Sequence, residues 1–594
     1  MFIEAKYLKM ITKEDTNERI GYNNLRKLLE NGILITPLTP VSTKTTQTLL
    51  DLYGIDMVAA NSTFYKTFAE REQKSWGEVV FDRLLHYSTT YGGLSSFLGG
   101  IYEPTILDDE LHTIVTNQFT KIEVAEKEDI KDRLQALIDQ AIALPSEDVP
   151  ILVETLIDYT IDGSRSKNRE VVVQYAKVAG IPMRDPELFV RLIANILTED
   201  TSFVKSKKFY DLVEFRLMSK GSDIEHLIKE YVYRYGFEPL ATQFRSHKRF
   251  WLIIRKYAAK REINRIKRLS EQLHEPKLMK TIFDKTVEEF TKDSKQMSVY
   301  QLVRSWNYLT EQAALSHEVS PLQVYRIRNG RAWFKTLADQ DEKDVFSYQY
   351  VIMNELKNRF AGKDMRVYLP DEHVDIKMPT SAKSFIGSYP MYTTIAVEDD
   401  YQVGVYWQST SDIDLHAQTI DGLHIGWYSE DSESVVYTGD MTSCNSHGYA
   451  AEAMLIKNKP GITFSIQPYR TQLGEKCKIY IANSVDKNAT QIVQSRQLLF
   501  QTATHGDHAM TFASSLPGKV VLTNFQVGGQ LPDEDAGQKL AQVIERKSST
   551  AMTLKDFIRI INGQIVTNSQ EATYDFSSEA ISLDTWVDFL EQGA

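Results

Sequence analysis

The spacing of apolar residues changes near Val367, and that change limits the folds the chain can adopt. Before Val367, apolar side chains recur every three to four residues, as they do on an amphipathic helix. A helix predicted over residues 128–143 has such an apolar face, formed by Ile130, Leu134, Leu137, Ile138 and Ile142. After Val367, short runs rich in Val, Ile, Tyr and Thr alternate with turns of Gly, Asp, Asn and Ser. We therefore predict an α+β protein with several domains.

Three domains are predicted from these patterns. Residues 1–365 are predicted to be an all-α, HEAT-like solenoid or ring, because helices of roughly one to two dozen residues alternate with short breaks that often contain proline. Residues 366–530 hold about nine predicted strands with turns about every 8–12 residues, which is the pattern of a β-sandwich. Residues 531–594 are predicted to be a short, acidic helical tail.

The length and the composition exclude several classes of protein. With 594 residues, the chain is long enough for about three to five domains. Cys444 and Cys477 are its only cysteines, which excludes a disulfide framework and a cysteine-rich zinc module. The N-terminus has no apolar secretion signal, and no run of about 18 apolar residues occurs. We therefore expect a cytoplasmic protein that does not bind a membrane.

The sequence contains none of the common catalytic motifs. A phosphate-binding P-loop, a G-x-S-x-G nucleophile elbow, an H-E-x-x-H zinc motif, a C-x-x-C pair and a strand-linked G-x-G-x-x-G are all absent. We therefore expect a protein that is not an enzyme.

A strongly basic segment lies within the predicted helical domain. Residues 244–280 contain 12 lysines and arginines against three glutamates, a local charge of +9 in a chain whose net charge is −12. Because some of these arginines recur at helical spacing, successive guanidinium groups can pair with successive phosphates. We predict that RNA binds here, through Arg245, Lys248, Arg249, Arg255, Lys256, Arg261, Arg265, Lys267 and Arg268.

A second basic segment, residues 325–335, adds Arg328 and Arg331 to the predicted RNA-binding residues. The two segments would act together if a curved solenoid placed both on one concave face. The alternative interpretation is a basic helix face that is merely solvated. Phe250 and Trp251, inside the first segment, are predicted to be core residues.

Part of the basic segment resembles a known RNA-binding family. Residues 263–277 (INRIKRLSEQLHEPK) are similar to the R-L-x-H-x-K-P-type segment of the TROVE module, which occurs in Ro-autoantigen-like proteins. Residues 84–102 (LLHYSTTYGGLSSFLGGIY) occupy a place similar to that family's early glycine-rich segment. The resemblance implies a ring of helical hairpins that binds single-stranded RNA ends in a basic hole and structured RNA on its rim. Among single residues it implies roles for Arg268 and His274.

An acidic segment lies within the predicted β domain. Residues 396–440 contain ten Asp and Glu residues and no Lys or Arg. In a strand over residues 412–419, alternate side chains share a face, so Asp412, Asp414 and His416 should point together, opposite the apolar residues. Together with Asp440, these carboxylates are the hard oxygen ligands that calcium requires. The alternative is that Asp412 and Asp414 cap turns and accept backbone hydrogen bonds.

The same segment resembles the tellurium-resistance, TerD-type family of β-sandwiches over about residues 401–484. That family has a D-x-D-L-x-A strand, a G-D-N turn and an acidic loop. Here the strand motif begins at Asp412, the turn is Gly439-Asp440 followed by Met441, and the acidic loop retains only Glu452. The resemblance implies a calcium site that includes Glu452, and a role in stress-response and biological-conflict systems.

Our leading hypothesis is an RNA-binding protein with a TerD-like accessory domain. The alternative is a non-enzymatic scaffold or assembly protein of a bacterial stress-response or phage-conflict system, with a calcium-responsive domain. The alternative implies protein partners or a homo-oligomer. The acidic tail is expected either to pack on its own protein or to bind a partner through its apolar face.

Overall fold

The computed structural model describes most of the chain. The described residues are 2–13, 23–53, 62–92, 101–104, 120–140, 144–201, 203, 207–271, 282–316, 322–328, 331–337, 344–369, 373–381, 384–408, 412–419, 423–427, 432–444, 448–457, 461–469, 476–483, 486–488, 497–503, 509–524, 526–527, 536–577 and 580–593. They fold into two compact units, Met1–Ala125 with Val287–Ala594, and Glu126–Thr286. Residues 1–125 therefore group with the strand-rich part of the chain, although their sequence pattern is helical.

Helices precede strands along the chain, and the predicted order of these two regions is confirmed. None of the described helices is both long enough and apolar enough to cross a membrane. The α-helices in chain order are α1 (Asn23–Glu30), α2 (Thr43–Tyr53), α3 (Phe68–Gln73), α4 (Trp76–Thr90), α5 (Lys127–Asp139), α6 (Asp148–Asp158), α7 (Arg169–Ala179), α8 (Pro186–Thr198), α9 (Lys207–Tyr235), α10 (Glu238–Phe244), α11 (Lys248–Tyr257), α12 (Lys260–Ser270), α13 (Val287–Ser294), α14 (Val299–Leu315), α15 (Val345–Phe360), α16 (Ala536–Thr550), α17 (Leu554–Ile560) and α18 (Leu583–Glu591).

The strands are concentrated after residue 366. In chain order they are β1 (Met10–Thr12), β2 (Ile33–Thr36), β3 (Thr120–Ala125), β4 (Leu322–Arg328), β5 (Arg331–Thr336), β6 (Arg366–Tyr368), β7 (Val374–Asp375), β8 (Phe385–Ile386), β9 (Tyr389–Pro390), β10 (Thr394–Ala396), β11 (Asp400–Trp407), β12 (Asp412–Thr419), β13 (His424–Ile425), β14 (Val435–Tyr437), β15 (Ala450–Lys457), β16 (Ile462–Tyr469), β17 (Lys476–Asn483), β18 (Gln497–Ala503), β19 (Met510–Leu516), β20 (Lys519–Leu522), β21 (Gln526–Val527), β22 (Gln564–Val566) and β23 (Tyr574–Asp575).

Two antiparallel sheets contain most of these strands. The larger has seven strands in the order β13-β12-β16-β19-β20-β10-β7, and the smaller has five in the order β14-β15-β11-β17-β18. Strands β12 and β15 are buried along both faces rather than one. Part of the cover comes from α3, whose Phe68 packs against Tyr406 and Tyr480 of the five-stranded sheet. Helix α3 is therefore part of the packing around the sheets.

The first 365 residues also contain strands that the helical pattern does not predict. β1, β3 and β2 form a parallel sheet in which Met10 lies opposite Glu123. β4 and β5 form an antiparallel pair within the second basic segment. A parallel sheet pairs segments that are distant in sequence, so the local spacing of apolar residues does not reveal it.

The unit of residues 126–286 is helical throughout its described residues. Its helices α7 to α12 enclose one apolar core, and the predicted core residues Phe250 and Trp251 are fully buried in it. Local chemistry marks some of the helix ends: Asp185 accepts a hydrogen bond from the Leu188 amide at 2.9 Å before α8. Gly180 ends α7 in the left-handed conformation, at φ 66°.

The C-terminal tail packs on its own protein, which was one of the two expectations for it. β22 and β23 pair in parallel with the two edges of β6, and α16 packs on α14. In α18, Trp586 and Phe589 are fully buried, and the Trp586 ring makes an edge contact with Phe385. The apolar stripe of α18 is therefore used inside the fold.

Replacing Trp586 by alanine should lower the free energy of unfolding by about 3–5 kcal/mol, because a large buried side chain is lost. Its Nε1 also donates to the Ser388 carbonyl at 3.1 Å. Chemical denaturation followed by circular dichroism would measure the change. Trp76→Ala is the matched control: Trp76 is 67% exposed, so its effect should stay within about 0.5 kcal/mol. Equal effects of the two substitutions would contradict a docked tail.

Candidate functional site

Three buried carboxylates converge at the edge of the seven-stranded sheet. Asp412 and Asp414 lie on β12, and Asp440 follows β14. One oxygen from each of the three lies within 4.8 Å of the others, and the residues are only 5–6% exposed. The strand predicted over residues 412–419 is confirmed, and its alternation places Asp412 and Asp414 on one face.

The turn before Asp440 depends on a glycine. Gly439 has φ 96°, a conformation that L side chains rarely adopt, and a Cβ there would lie 2.7 Å from the Phe64 ring. This turn brings Asp440 next to β12, although 25 residues separate Asp440 from Asp414. The Gly-Asp dipeptide of the sequence motif therefore has a geometric reason.

Glu452, on β15, connects the two segments that carry the aspartates. Its Oε2 accepts a hydrogen bond from the Leu415 amide at 2.6 Å, and its Oε1 accepts one from the Met441 amide at 3.0 Å. Glu452 is fully buried, and burial raises the pKa of its carboxyl well above the usual range. The structure thus places Glu452 beside the three aspartates, with both of its oxygens bonded to backbone amides.

The electrostatics of the cluster favour uptake of positive charge. Burial, followed by the charges of Asp412 and Asp440, raises the pKa of Asp414 to about 8. Burial also raises the pKa of Asp440, while the Tyr87 hydroxyl and the charges of His86 and Arg83 oppose that increase. At neutral pH the cluster therefore holds a proton that a divalent cation could replace.

Two tyrosine hydroxyls donate hydrogen bonds to the cluster. Tyr87 lies in α4, and Tyr91 is the residue that follows α4. The Tyr87 hydroxyl lies 2.8 Å from Asp440 Oδ2, and the Tyr91 hydroxyl lies 3.2 Å from Asp412 Oδ2. Asp440 Oδ1 is buried and receives no hydrogen bond from a described residue. Sequence reasoning missed both tyrosines, because more than 300 residues separate them from the aspartates.

His416 follows the two aspartates on the same face of β12 but lies outside the group of converging carboxylates. Its ring packs 5.0 Å from that of His424, and a Cβ on Gly426 would lie 2.4 Å from its Nδ1. Burial, and then the charge of His424, lowers the pKa of His416 to about 4. His416 is therefore neutral at physiological pH.

The donor set fits a hard divalent cation. The three converging groups are carboxylates, with no sulfur or imidazole among them, and oxygen-only sites suit calcium or magnesium rather than zinc. Asp440 Oδ1 is buried without a described amide or hydroxyl donor, so this oxygen could ligate a cation. The predicted ligands Asp412, Asp414 and Asp440 are thus brought together by the fold.

The basic segment forms α11 and α12 in the helical unit. Ile263 and Ile266 are fully buried, while Arg261, Arg265 and Arg268 are exposed on another face. The amphipathic pattern of the sequence is therefore confirmed for α12.

Several of the predicted RNA-binding side chains have intramolecular partners. Arg265 stacks on the Phe237 ring at 4.3 Å, and Arg249 stacks on Tyr210 at 4.2 Å. Lys256 pairs with Glu214, Lys267 with Glu271, and Arg255 with Asn264. Among the described residues, no ion pair involves Arg245, Lys248, Arg261 or Arg268, all of which are exposed.

The remaining predicted RNA-binding residues are placed elsewhere or are not described. Arg328 and Arg331 lie opposite each other at the ends of β4 and β5, in the unit that does not contain α12. Their segment is therefore a strand pair and not part of a helical hairpin. His274 lies outside the described residues.

The Asp414→Asn variant should become more stable relative to wild type as the pH rises from about 5 to 8, in calcium-free buffer. Asp414 has a raised pKa, so across this range the folded protein keeps a proton that the unfolded chain releases. The stability of the folded wild type therefore falls as the pH rises, and the neutral amide in the variant removes this loss. Melting temperatures measured against pH test this.

Asp399→Asn is the matched control for this pH series. Asp399 is an exposed carboxylate in the same acidic segment, so the variant's melting temperatures should follow those of wild type at every pH. A constant difference between Asp414→Asn and wild type would show that the cluster does not store a proton.

Comparison with known proteins identifies no relative of this chain. No protein-family model matches it, and no curated protein or solved structure does so either. The likenesses to the TROVE and TerD-type families rest on the motifs quoted above.

Proposed function

We propose that this chain is a calcium-binding protein whose cation site is formed by Asp412, Asp414 and Asp440. The observation that carries the proposal is the convergence of one oxygen from each of the three buried carboxylates to within 4.8 Å. Buried like charges at this distance repel one another, and a buried unpaired carboxylate is costly. A divalent cation would remove both costs. We further propose that the two antiparallel sheets are a TerD-like β-sandwich.

Calcium suits these three carboxylates better than magnesium or zinc does. It takes six to eight oxygen ligands in flexible geometry, so three carboxylates can be completed by backbone oxygens or water. Magnesium demands nearly ideal octahedral geometry, and zinc prefers nitrogen and sulfur. Glu452 would hold the ligand-bearing segments together through its amide hydrogen bonds.

Calcium should raise the melting temperature of the chelator-treated protein. At a free calcium concentration about 100 times Kd, the added free energy of unfolding is about 2.7 kcal/mol. The shift should be lost in Asp412→Asn and retained in the exposed control Asp399→Asn. The absence of a shift in wild type, or an equal shift in Asp412→Asn, would refute the cation site.

A second proposed function is RNA binding by the helical unit, in agreement with its TROVE-like motif. It is supported by the exposed side chains of Arg245, Lys248, Arg261 and Arg268, which form no ion pair with a described residue. Cations of this kind can exchange their hydration for phosphate contacts without breaking an internal pair. On this proposal the helices of the unit of residues 126–286 form a HEAT-like RNA-binding solenoid.

A variant with glutamate at Arg261, Arg265 and Arg268 should retain much less single-stranded RNA on a filter at physiological salt. Binding of RNA by successive arginines releases counterions, so the slope of log affinity against log salt should also fall, by about 2 for three lost contacts. Wild type and the variant would be compared with the same radiolabelled RNA.

The control for RNA binding carries the same change of net charge. It places glutamate at Arg165, Arg216 and Arg234, three arginines of the same unit that each already pair with an acid. Equal retention by the control and the α12 variant would assign binding to net charge alone. Wild-type protein that purifies as a homo-oligomer without nucleic-acid absorbance would favour the scaffold function instead.

A further inference from the structure

We infer that α4 forms the outer wall of the cation site, with Tyr87 and Tyr91 as positioning residues for its carboxylate ligands. The inference rests on the proposed calcium site and adds to it a part of the chain that no sequence motif indicates. It follows from two hydroxyl–carboxylate hydrogen bonds, of 2.8 Å to Asp440 and 3.2 Å to Asp412.

Each tyrosine hydroxyl donates a hydrogen bond to one carboxylate oxygen of an aspartate. Tyr87 donates to Asp440 Oδ2, and Asp440 Oδ1 remains buried without a described amide or hydroxyl donor. A hydroxyl that holds one carboxylate oxygen fixes the rotation of the carboxyl group, so the second oxygen is already turned for a cation. Without the hydroxyl, the carboxylate must be ordered when the cation binds, which lowers affinity.

The position of α4 over the cluster is fixed by contacts on both sides of Asp440. The Tyr65 amide donates to the Thr438 carbonyl at 2.8 Å, and the Thr442 hydroxyl lies 3.0 Å from His86 Nε2. Phe64 packs against Gly439, where a Cβ would come within 2.7 Å of its ring. The tyrosine contacts are therefore part of a built interface between residues 62–92 and the Asp440 turn.

Calcium titration calorimetry of the full chain would test the inference. Tyr87→Phe should weaken calcium binding about tenfold, the usual effect of losing a hydrogen bond to a metal ligand, and Tyr91→Phe should act in the same direction. The matched control is Tyr102→Phe, which also removes a tyrosine–carboxylate hydrogen bond, of 2.9 Å to Asp82, outside the cluster. The affinity of Tyr102→Phe should equal that of wild type.

The outcomes separate this inference from the calcium site itself. Wild-type affinity in both tyrosine variants, with binding lost in Asp412→Asn, would overturn the role of α4 and keep the site. Equal losses in Tyr87→Phe and Tyr102→Phe would also overturn it, since only the general packing of the segment would then matter. Absence of binding by wild type would overturn both proposals. Circular dichroism of each variant would confirm that it is folded.

Discussion

The burial of charge around Glu452 is the constraint on which the candidate site depends. One glutamate reaches from the five-stranded sheet to the seven-stranded sheet and accepts an amide hydrogen bond from each ligand-bearing segment. A fully buried carboxyl group is stable only when such donors replace its water. Its two bonds hold Leu415, beside Asp414, and Met441, beside Asp440, at fixed positions. The three aspartates therefore converge because a fourth acid organises the backbone between them.

The cost of burying the three aspartates is offset less completely than the cost of burying Glu452. Asp440 and Asp412 each receive a tyrosine hydroxyl, and Asp414 has a pKa raised far enough to keep a proton near neutral pH. A core designed only for stability would replace such a group by apolar residues, since burying charge without full pairing is unfavourable. Incomplete compensation of this kind is typical of functional sites. It is also the condition under which a divalent cation contributes most to folding.

Part of the fold and of the candidate site was predictable from the local sequence. The alternation over residues 412–419 predicted the strand and the shared face of its two aspartates, and the spacing of Ile263 and Ile266 predicted which face of α12 is buried. Both are local patterns with a period of two or of 3.6 residues. The parallel pairing of Met10 with Glu123 has no such pattern, because neither segment shows in its own residues which partner it will meet.

The sequence by itself determined that a largely helical region precedes the main strand-rich region, which face of α12 carries the arginines, and that Asp412, Asp414 and Asp440 could form a hard-oxygen site. These properties follow from residue type and short-range spacing. Only the tertiary structure decided that the Tyr87 and Tyr91 hydroxyls donate to the carboxylates of Asp440 and Asp412. It also placed Arg328 in a different compact unit from Arg268. Contacts across more than 300 residues depend on how whole sheets and helices pack, which no local pattern encodes.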